Sequence, residues 1–363
     1  MKIGIYMIGS LGDTLAALPA LWALRHHYRD DQLILISDQQ TDTNRVGPLQ
    51  ILDGIDLLDS MVQYPSDETA STLAKSAGVW RLYSLLRQTA PDILVYLLRG
   101  TRDQTRIPRD MAFFRLAGIR RIIGMEGMPE KGPGRKPPVL PVTSQADQFL
   151  WRLAAAGIPV PPPGQGRCDL GLKEQDQARF REWAERLPPD GGRPWVAFAP
   201  GSKMPSKRWP EEYFAETGKA LIASHDIWPV VFGGPEDREV GERLLALWGR
   251  GYLAAGPLGV RAAAAALGRC ALYVGNDTGT MHLAASAGTR CVALFSSRDF
   301  PGLWDPYGTG HIVLRTDPPC AGCFGITCPR GDNVCLASIS ARTVSGVCQG
   351  MLDQTAAAGG RAR

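Results

Sequence analysis

No uncharged apolar run of about 18 residues occurs anywhere in the sequence, so it offers no candidate for a helix that crosses a bilayer. Excess charge is also lacking. Lys and Arg number 40 against 36 Asp and Glu, a formal net charge of +4, and that balance gives no reason to invoke nucleic acid. With 44% hydrophobic and 21% charged residues, the chain has neither the low hydrophobicity nor the charge density of a disordered protein. The start, "MKIGIYMIGSLGDTLAALPALWAL", lacks the unbroken apolar core of a secretory signal, because Gly12 and Asp13 divide it; a strand followed by a helix explains the pattern better. The G-x-G-x-x-G fingerprint is missing from the same place, which leaves a nicotinamide cofactor without support. These absences predict a cytoplasmic globular protein, with the inner face of the inner membrane as a candidate working surface.

What is present is an alternation of short β-rich runs with helical stretches. "KIGIYMI" precedes a helix predicted from about Asp13 to Tyr28; "QLILIS" and "DILVYLL" are further strands. A Pro/Gly-rich region between residues 127 and 168 interrupts the alternation, which restarts with "WVAFAPGS" and continues through "DIWPVVFGGP", "ALYVGND" and "TRCVALFSS". At 363 residues two domains are expected. The reading is an α/β protein of two Rossmann-like, doubly wound lobes facing across a cleft: 1–165 on the acceptor side, 166–345 on the donor side, and 346–363 a helix end and frayed tail.

In such sheets ligands sit beyond the carboxyl ends of the strands. Four stretches fall there. "YVGNDTGTMHLAASAG" ends a strand and opens a helix whose first N–H groups attract anions, with Gly279 for close approach and Thr278 and Thr280 as hydroxyl donors. Asp277 there reads either as an N-cap or as a partner of sugar hydroxyls, and His282 as a half-buried helix residue or a ligand contact. "APGSKMPSKRWPEEYF" brings Lys203, Lys207 and Arg208 with Ser202 and Ser206, groups suited to phosphate; two such loops in one lobe point to a diphosphate. "FGGPEDRE" places Glu236 or Asp237 to reach ribose hydroxyls or to complement a helix dipole. In the first lobe Asp13 is either a cap or a general base. Arg99, Arg102, Arg106 and Arg109 recur at spacings of three or four, which would give them one face on a helix or turn, suited to an anionic partner or to plain solvation.

Cys168, Cys270, Cys291 and Cys348 are scattered and read as small core residues. Cys320, Cys323, Cys328 and Cys335 form C-x2-C-x4-C-x6-C, which predicts a structural metal knuckle, zinc being the simplest candidate; four sulfurs would leave no open position for catalysis.

The stretches "GSLGDTLAALPALWALR", "PGSKMPSKRWPEEYFAE", "FGGPEDRE" and "VGNDTGTMHLAASAGTRCVALFSSRDFPGLWDPYG", in this order, resemble the motifs of the heptosyltransferases, glycosyltransferase family 9, over residues 3 to about 345. The resemblance implies the GT-B fold and an inverting, metal-independent transfer of a heptose or related sugar from ADP-heptose or a related nucleotide-sugar to the lipopolysaccharide core or a similar anionic, lipid-linked glycan. It implies Asp13 as base, Lys207 on the donor diphosphate, and Ser202 on a phosphate. Asp277, Thr278, Gly279 and His282 would lie at the donor-binding helix start, and Asp237 near the nucleoside. Outside the family's motifs, the charge of the arginines from Arg99 to Arg109 suggests a contact for the anionic acceptor. Two rival readings stay open, a GT-B nucleotide-sugar epimerase and a non-catalytic glycan or nucleotide binder.

Overall fold

The computed structural model describes residues 1–39, 46–65, 72–99, 106–125 and 142–360. The chain divides into two compact units, Met1–Gly134 with Thr143–Gly171 and Arg135–Val142 with Leu172–Arg363.

In the first unit, strands β1 (Lys2–Tyr6), β2 (Gln32–Gln39), β3 (Ser60–Pro65), β4 (Ile93–Tyr96) and β5 (Arg121–Ile123) form one parallel sheet in the order β3-β2-β1-β4-β5. Between them run α1 (Leu11–His27), α2 (Pro48–Leu52), α3 (Thr72–Thr89) and α4 (Arg106–Leu116), and α5 (Gln145–Ala155) packs on α1. Parallel strands need crossovers, and helices on the faces force the strands to be apolar throughout, as "ILVY" of β4 is. Tyr6, Tyr96, Leu82, Leu86 and Phe114 close the core over the side where α3 and α4 lie.

The second unit repeats the plan. Its strands are β6 (Trp195–Ala199), β7 (Trp228–Val231), β8 (Tyr252–Leu253), β9 (Leu272–Asn276), β10 (Cys291–Leu294) and β11 (Ile312–Leu314), all parallel, in the order β11-β10-β9-β6-β7-β8. The helices are α6 (Glu174–Ala184), α7 (Glu211–His225), α8 (Arg238–Trp248), α9 (Val260–Gly268), α10 (Gly279–Ser286), α11 (Val334–Ala337) and α12 (Ala341–Gly360). Helix α12 packs along α7, and Val344, Cys348 and Met351 join the core of Val196, Phe198 and Leu272, so the region read as helix end and tail is regular helix to Gly360. Asp176 and Arg261 tie α6 to α9 by a buried pair with Nη2–Oδ2 at 2.7 Å.

Each sheet has one point where the strand order reverses, between β1 and β4 in the first and between β6 and β9 in the second. Loops leaving the carboxyl ends of those neighbours part in opposite directions and leave a crevice. The sequence places Asp13 and Arg99 at one such point, and Ser202–Lys207 and Asp277–His282 at the other.

Candidate functional site

In the second unit a single buried side chain ties the two loops together. Asn276, at the end of β9, has no exposed surface; its Oδ1 accepts the Trp209 backbone N–H at 3.1 Å and its Nδ2 donates to the Pro200 carbonyl at 2.7 Å. Trp209 is itself buried and donates its indole N–H to the Ile339 carbonyl at 2.8 Å. The loop after β6 is thus fastened at both ends, with the short 3-10 turn Pro205–Lys207 between. Sequence reasoning did not single out Asn276; its signal was an amide side chain closing an otherwise apolar buried strand, where an unbonded polar group would be costly.

The Lys207 ammonium reaches the start of α10 and stands 2.6 Å from Asp277 Oδ2, with 12% and 6% of the two side chains exposed. Thr278, extended at φ −148, occupies the helix N-cap position, so the alternative reading of Asp277 as the cap does not hold; its carboxylate turns to Lys207 instead. Gly279 and Thr280 open the first turn, and His282 is buried with its ring edge-on to Trp304, centroids 6.2 Å apart. Thr278 Oγ1 and the Tyr273 hydroxyl are buried near one another, neither in a hydrogen bond of good geometry. The rest of α10, with Met281, Leu283, Ala284 and Ala285 buried, packs on α9 and on strands β9 and β10.

Ser202 is buried and its Oγ accepts the Met204 N–H at 3.2 Å, while Arg208 holds the Ser202 carbonyl. Asp237 closes the 3-10 turn Pro235–Asp237, and its Oδ2 accepts the Gly234 N–H at 3.0 Å. A Cβ at position 201 would lie 2.0 Å from Asp237 Oδ1, so only glycine lets this carboxylate cross the loop after β6. Burial raises the Asp237 carboxyl above its ordinary range, against the pull of the Gly234 N–H. Beyond Asp277, the ends of β10 and β11 bring up Asp305 and Arg315, 3.6 Å apart, with the guanidinium 4.8 Å from the Phe295 ring centroid. Burial raises Asp305 and lowers Arg315, and both lie within the electrostatic reach of Asp277. Arg315 lies outside every quoted motif and Asp305 inside one, but nothing in the sequence paired them, because they meet only through strand order.

In the first unit Asp13 is not the first residue of its helix, as expected, but the third. Ser10 precedes the helix, and Asp13 Oδ2 accepts both the Ser10 N–H at 2.9 Å and the Ser10 hydroxyl at 3.1 Å. The other oxygen, Oδ1, is 3.4 Å from Arg99 Nε. A Cβ at Gly9 would fall 2.4 Å from Asp13 Cβ, so this turn too depends on a missing side chain. The cap reading and the base reading therefore use different oxygens of one carboxylate.

Arg106 and Arg109 lie three positions apart on α4, and Arg99 lies outside it. Arg99 follows β4, seven residues before α4 begins; Arg102 lies outside the described residues; Arg106 opens α4; and Arg109 turns back to Asp110 Oδ1 at 2.9 Å.

The four clustered cysteines come together in the second unit. Cys320, Cys323, Cys328 and Cys335 line one cavity of about 110 Å³, with no disulfide among them. Among the described residues no group of three or more such side chains is placed to hold a metal ion. The Cys328 thiol faces Asp332 Oδ1 at 3.8 Å, and Cys323 is exposed. The loop is held by hydrogen bonds instead: Ser206 donates to the Gly325 and Ile326 carbonyls, and Arg298 to those of Phe324 and Gly325. Of the scattered cysteines, Cys270, Cys291 and Cys348 are buried, with burial pushing the Cys348 thiol up to about 12, whereas Cys168 is only half-buried.

Two doubly wound parallel sheets, each with charged side chains gathered at its point of strand reversal, define a GT-B protein. The profile of glycosyltransferase family 9 (heptosyltransferase) matches residues 151–333, and the chain belongs to that family. Lipopolysaccharide heptosyltransferase 2 of Salmonella typhimurium is 37% identical over 118 residues, covering 30% of this chain and 33% of that protein, so the match spans about a third of that relative's length. Among solved structures, a family 9 glycosyl transferase from Veillonella parvula superposes with a TM-score of 0.75 at 20% identity over 97% of both chains. E. coli ADP-heptose lps heptosyltransferase II gives 0.70 at 21% identity over 98% of this chain and 99% of that one. Among the described residues no helix is long and apolar enough to cross a membrane.

Proposed function

We propose that the protein is an inverting glycosyltransferase that moves a heptose or a related sugar from an ADP-activated donor to a lipopolysaccharide core or a similar anionic glycan. One observation carries the reading in this family 9 chain: a buried ammonium, Lys207, held against Asp277 at the mouth of α10. The ion pair fixes the lysine without consuming it, since an ammonium has three donors and Asp277 Oδ2 takes one. A diphosphate at the helix mouth would take the others, together with the N–H groups of Gly279 and Thr280 and the Thr278 hydroxyl. Ser202 would meet a phosphate oxygen, Asp237 the nucleoside side, and Asp277 and His282 the sugar hydroxyls.

In the reaction Asp13 accepts the proton of the acceptor hydroxyl through the oxygen that Ser10 leaves free. The acceptor oxygen forms its bond to the anomeric carbon from the face opposite the diphosphate. The bond to the diphosphate oxygen breaks, and its electron pair leaves with ADP, which inverts the anomeric centre. Lys207 and the start of α10 stabilise the charge that develops on the leaving group. Arg99, beside Asp13, would meet an anionic acceptor, with Arg102, Arg106 and Arg109 as further contacts; charge reversal at Arg102 and Arg106 should weaken acceptor affinity.

The test is a thermal-shift screen followed by turnover. ADP-heptose should raise the melting temperature while UDP-sugars leave it unchanged, and ADP should appear only when acceptor is added. Conversion of the donor alone into a new nucleotide-sugar would replace this reading with that of an epimerase.

A further inference from the structure

Helix α3 buries Gly78, Leu82 and Leu86, one residue per turn, against its own unit. At 100° per residue the opposite face carries Trp80, Tyr83 and Arg87, and Trp80, 68% exposed, stands near its centre. A tryptophan of that exposure is unusual on a helix that has a core to pack against.

It is also not isolated. Its ring stacks on Tyr83 at 5.4 Å, and Tyr83 meets Phe113 of α4 edge-on at 6.4 Å. Phe113 shares a face of α4 with Leu116, at 75% the most exposed large apolar side chain among the described residues. Arg87 reaches across to the end of α4, where a Cβ at Gly118 would touch its Nη1 at 3.1 Å. The two helices thus present one continuous aromatic and aliphatic ridge.

Charge decides what could cover it. From Thr72 to Thr89 there is no acidic residue, and from Arg106 to Arg121 the one acid is Asp110. Asp110 is buried and bonded to the Tyr96 hydroxyl and Arg109. Arg81, Arg87, Arg115 and Arg120 are exposed and make no ion pair among the described residues, whereas Arg109 is paired with Asp110. An apolar ridge carrying tryptophan, flanked by arginines and free of acids, matches the boundary of an anionic bilayer. There the rings sit at headgroup depth, and the guanidinium groups meet lipid phosphates while their stems cover apolar surface.

We propose that the outer face of α3 and α4 docks the protein on an anionic lipid surface. The inference does not depend on the sugar-transfer reading, because it needs neither donor nor acceptor.

The test uses the full chain and sucrose-loaded vesicles. The protein should sediment with vesicles of phosphatidylglycerol and phosphatidylcholine, much less with pure phosphatidylcholine, and less as salt is raised. Arg87→Gln and Arg115→Gln should each weaken binding about fivefold. Trp80→Ala with Leu116→Ser should weaken it more, with thermal unfolding and turnover on a soluble acceptor unchanged. Brominated phosphatidylglycerol should quench part of the tryptophan emission, and Trp80→Phe should abolish that part. Equal sedimentation with neutral and anionic vesicles, or variants that bind like the parent, would overturn the proposal. So would a ridge that captures a protein partner while the chain ignores vesicles. A failure here leaves the donor and turnover tests untouched, and failure of those leaves this one standing.

Discussion

The two units answer one topological problem in opposite ways. At the strand reversal of the first, a carboxylate from the first turn of α1 meets a cation from the loop after β4, and Arg99 is half in solvent. At the reversal of the second, a cation from the loop after β6 meets a carboxylate from the loop after β9, and both are buried. The buried pair is braced by Asn276 and Trp209, whereas the open pair rests on a single turn around Ser10. An ion pair taken out of water must keep its geometry, because neither charge can find another partner there. A half-exposed pair can exchange partners at little cost. The buried arrangement suits a fixed anion such as a diphosphate, the half-exposed one a group that must give and receive a proton.

This contrast can be broken by substitution. Asp13→Asn should lower kcat by about a hundred- to ten-thousandfold, while ADP binding measured by calorimetry stays within error. An equal loss of ADP affinity would dissolve the proposed division of labour. Lys207→Met leaves Asp277 buried without its partner and should destabilise by about 3–5 kcal/mol in urea unfolding, and ADP affinity should fall with it. Lys207→Met with Asp277→Asn should recover most of the stability and none of the affinity, which separates holding the fold from holding the anion. Asn276→Ala leaves the Trp209 N–H and the Pro200 carbonyl without partners and should cost on the order of 2–4 kcal/mol. In the first unit Arg99→Gln should cost about 1 kcal/mol or less.

The smallest expected effect is one of pH. Burial holds the Asp237 carboxyl above its unfolded value of about 3.9. The folded state therefore binds that proton more tightly, so stability is fullest below the unfolded value and declines as pH rises through the raised one. Asp237→Asn removes the decline. The variant should be slightly more stable than the parent at pH 7 and indistinguishable at pH 3, as followed by chemical denaturation.

Much of the second unit could be read from the linear chain. "WVAFA" and "CVAL" are apolar without alternation, as strands covered on both faces must be, and the loops rich in Gly, Ser, Thr and Lys follow directly. Asp13 could be read as well, though the residues alone left cap and base open; the structure assigns one carboxylate oxygen to the cap and leaves the other beside Arg99. Of the arginine run, Arg106 and Arg109 lie three positions apart on α4 and Arg99 precedes it, because spacing implies a shared helix face only within one helix. The clustered cysteines do meet around one cavity, as their close spacing requires, while among the described residues no group of three is aimed at a common point.

Residue order alone determined the alternation of strand and helix, the apolar faces, and which loops carry charge. Those properties depend on neighbours a few positions apart and on the periods of 2 and 3.6. Only the tertiary structure decided that Lys207 would meet Asp277, that Asp305 and Arg315 would stand beside them, and that Trp80 would remain uncovered. Strand order and helix packing set those contacts, bringing together residues tens of positions apart whose local patterns carry no record of one another.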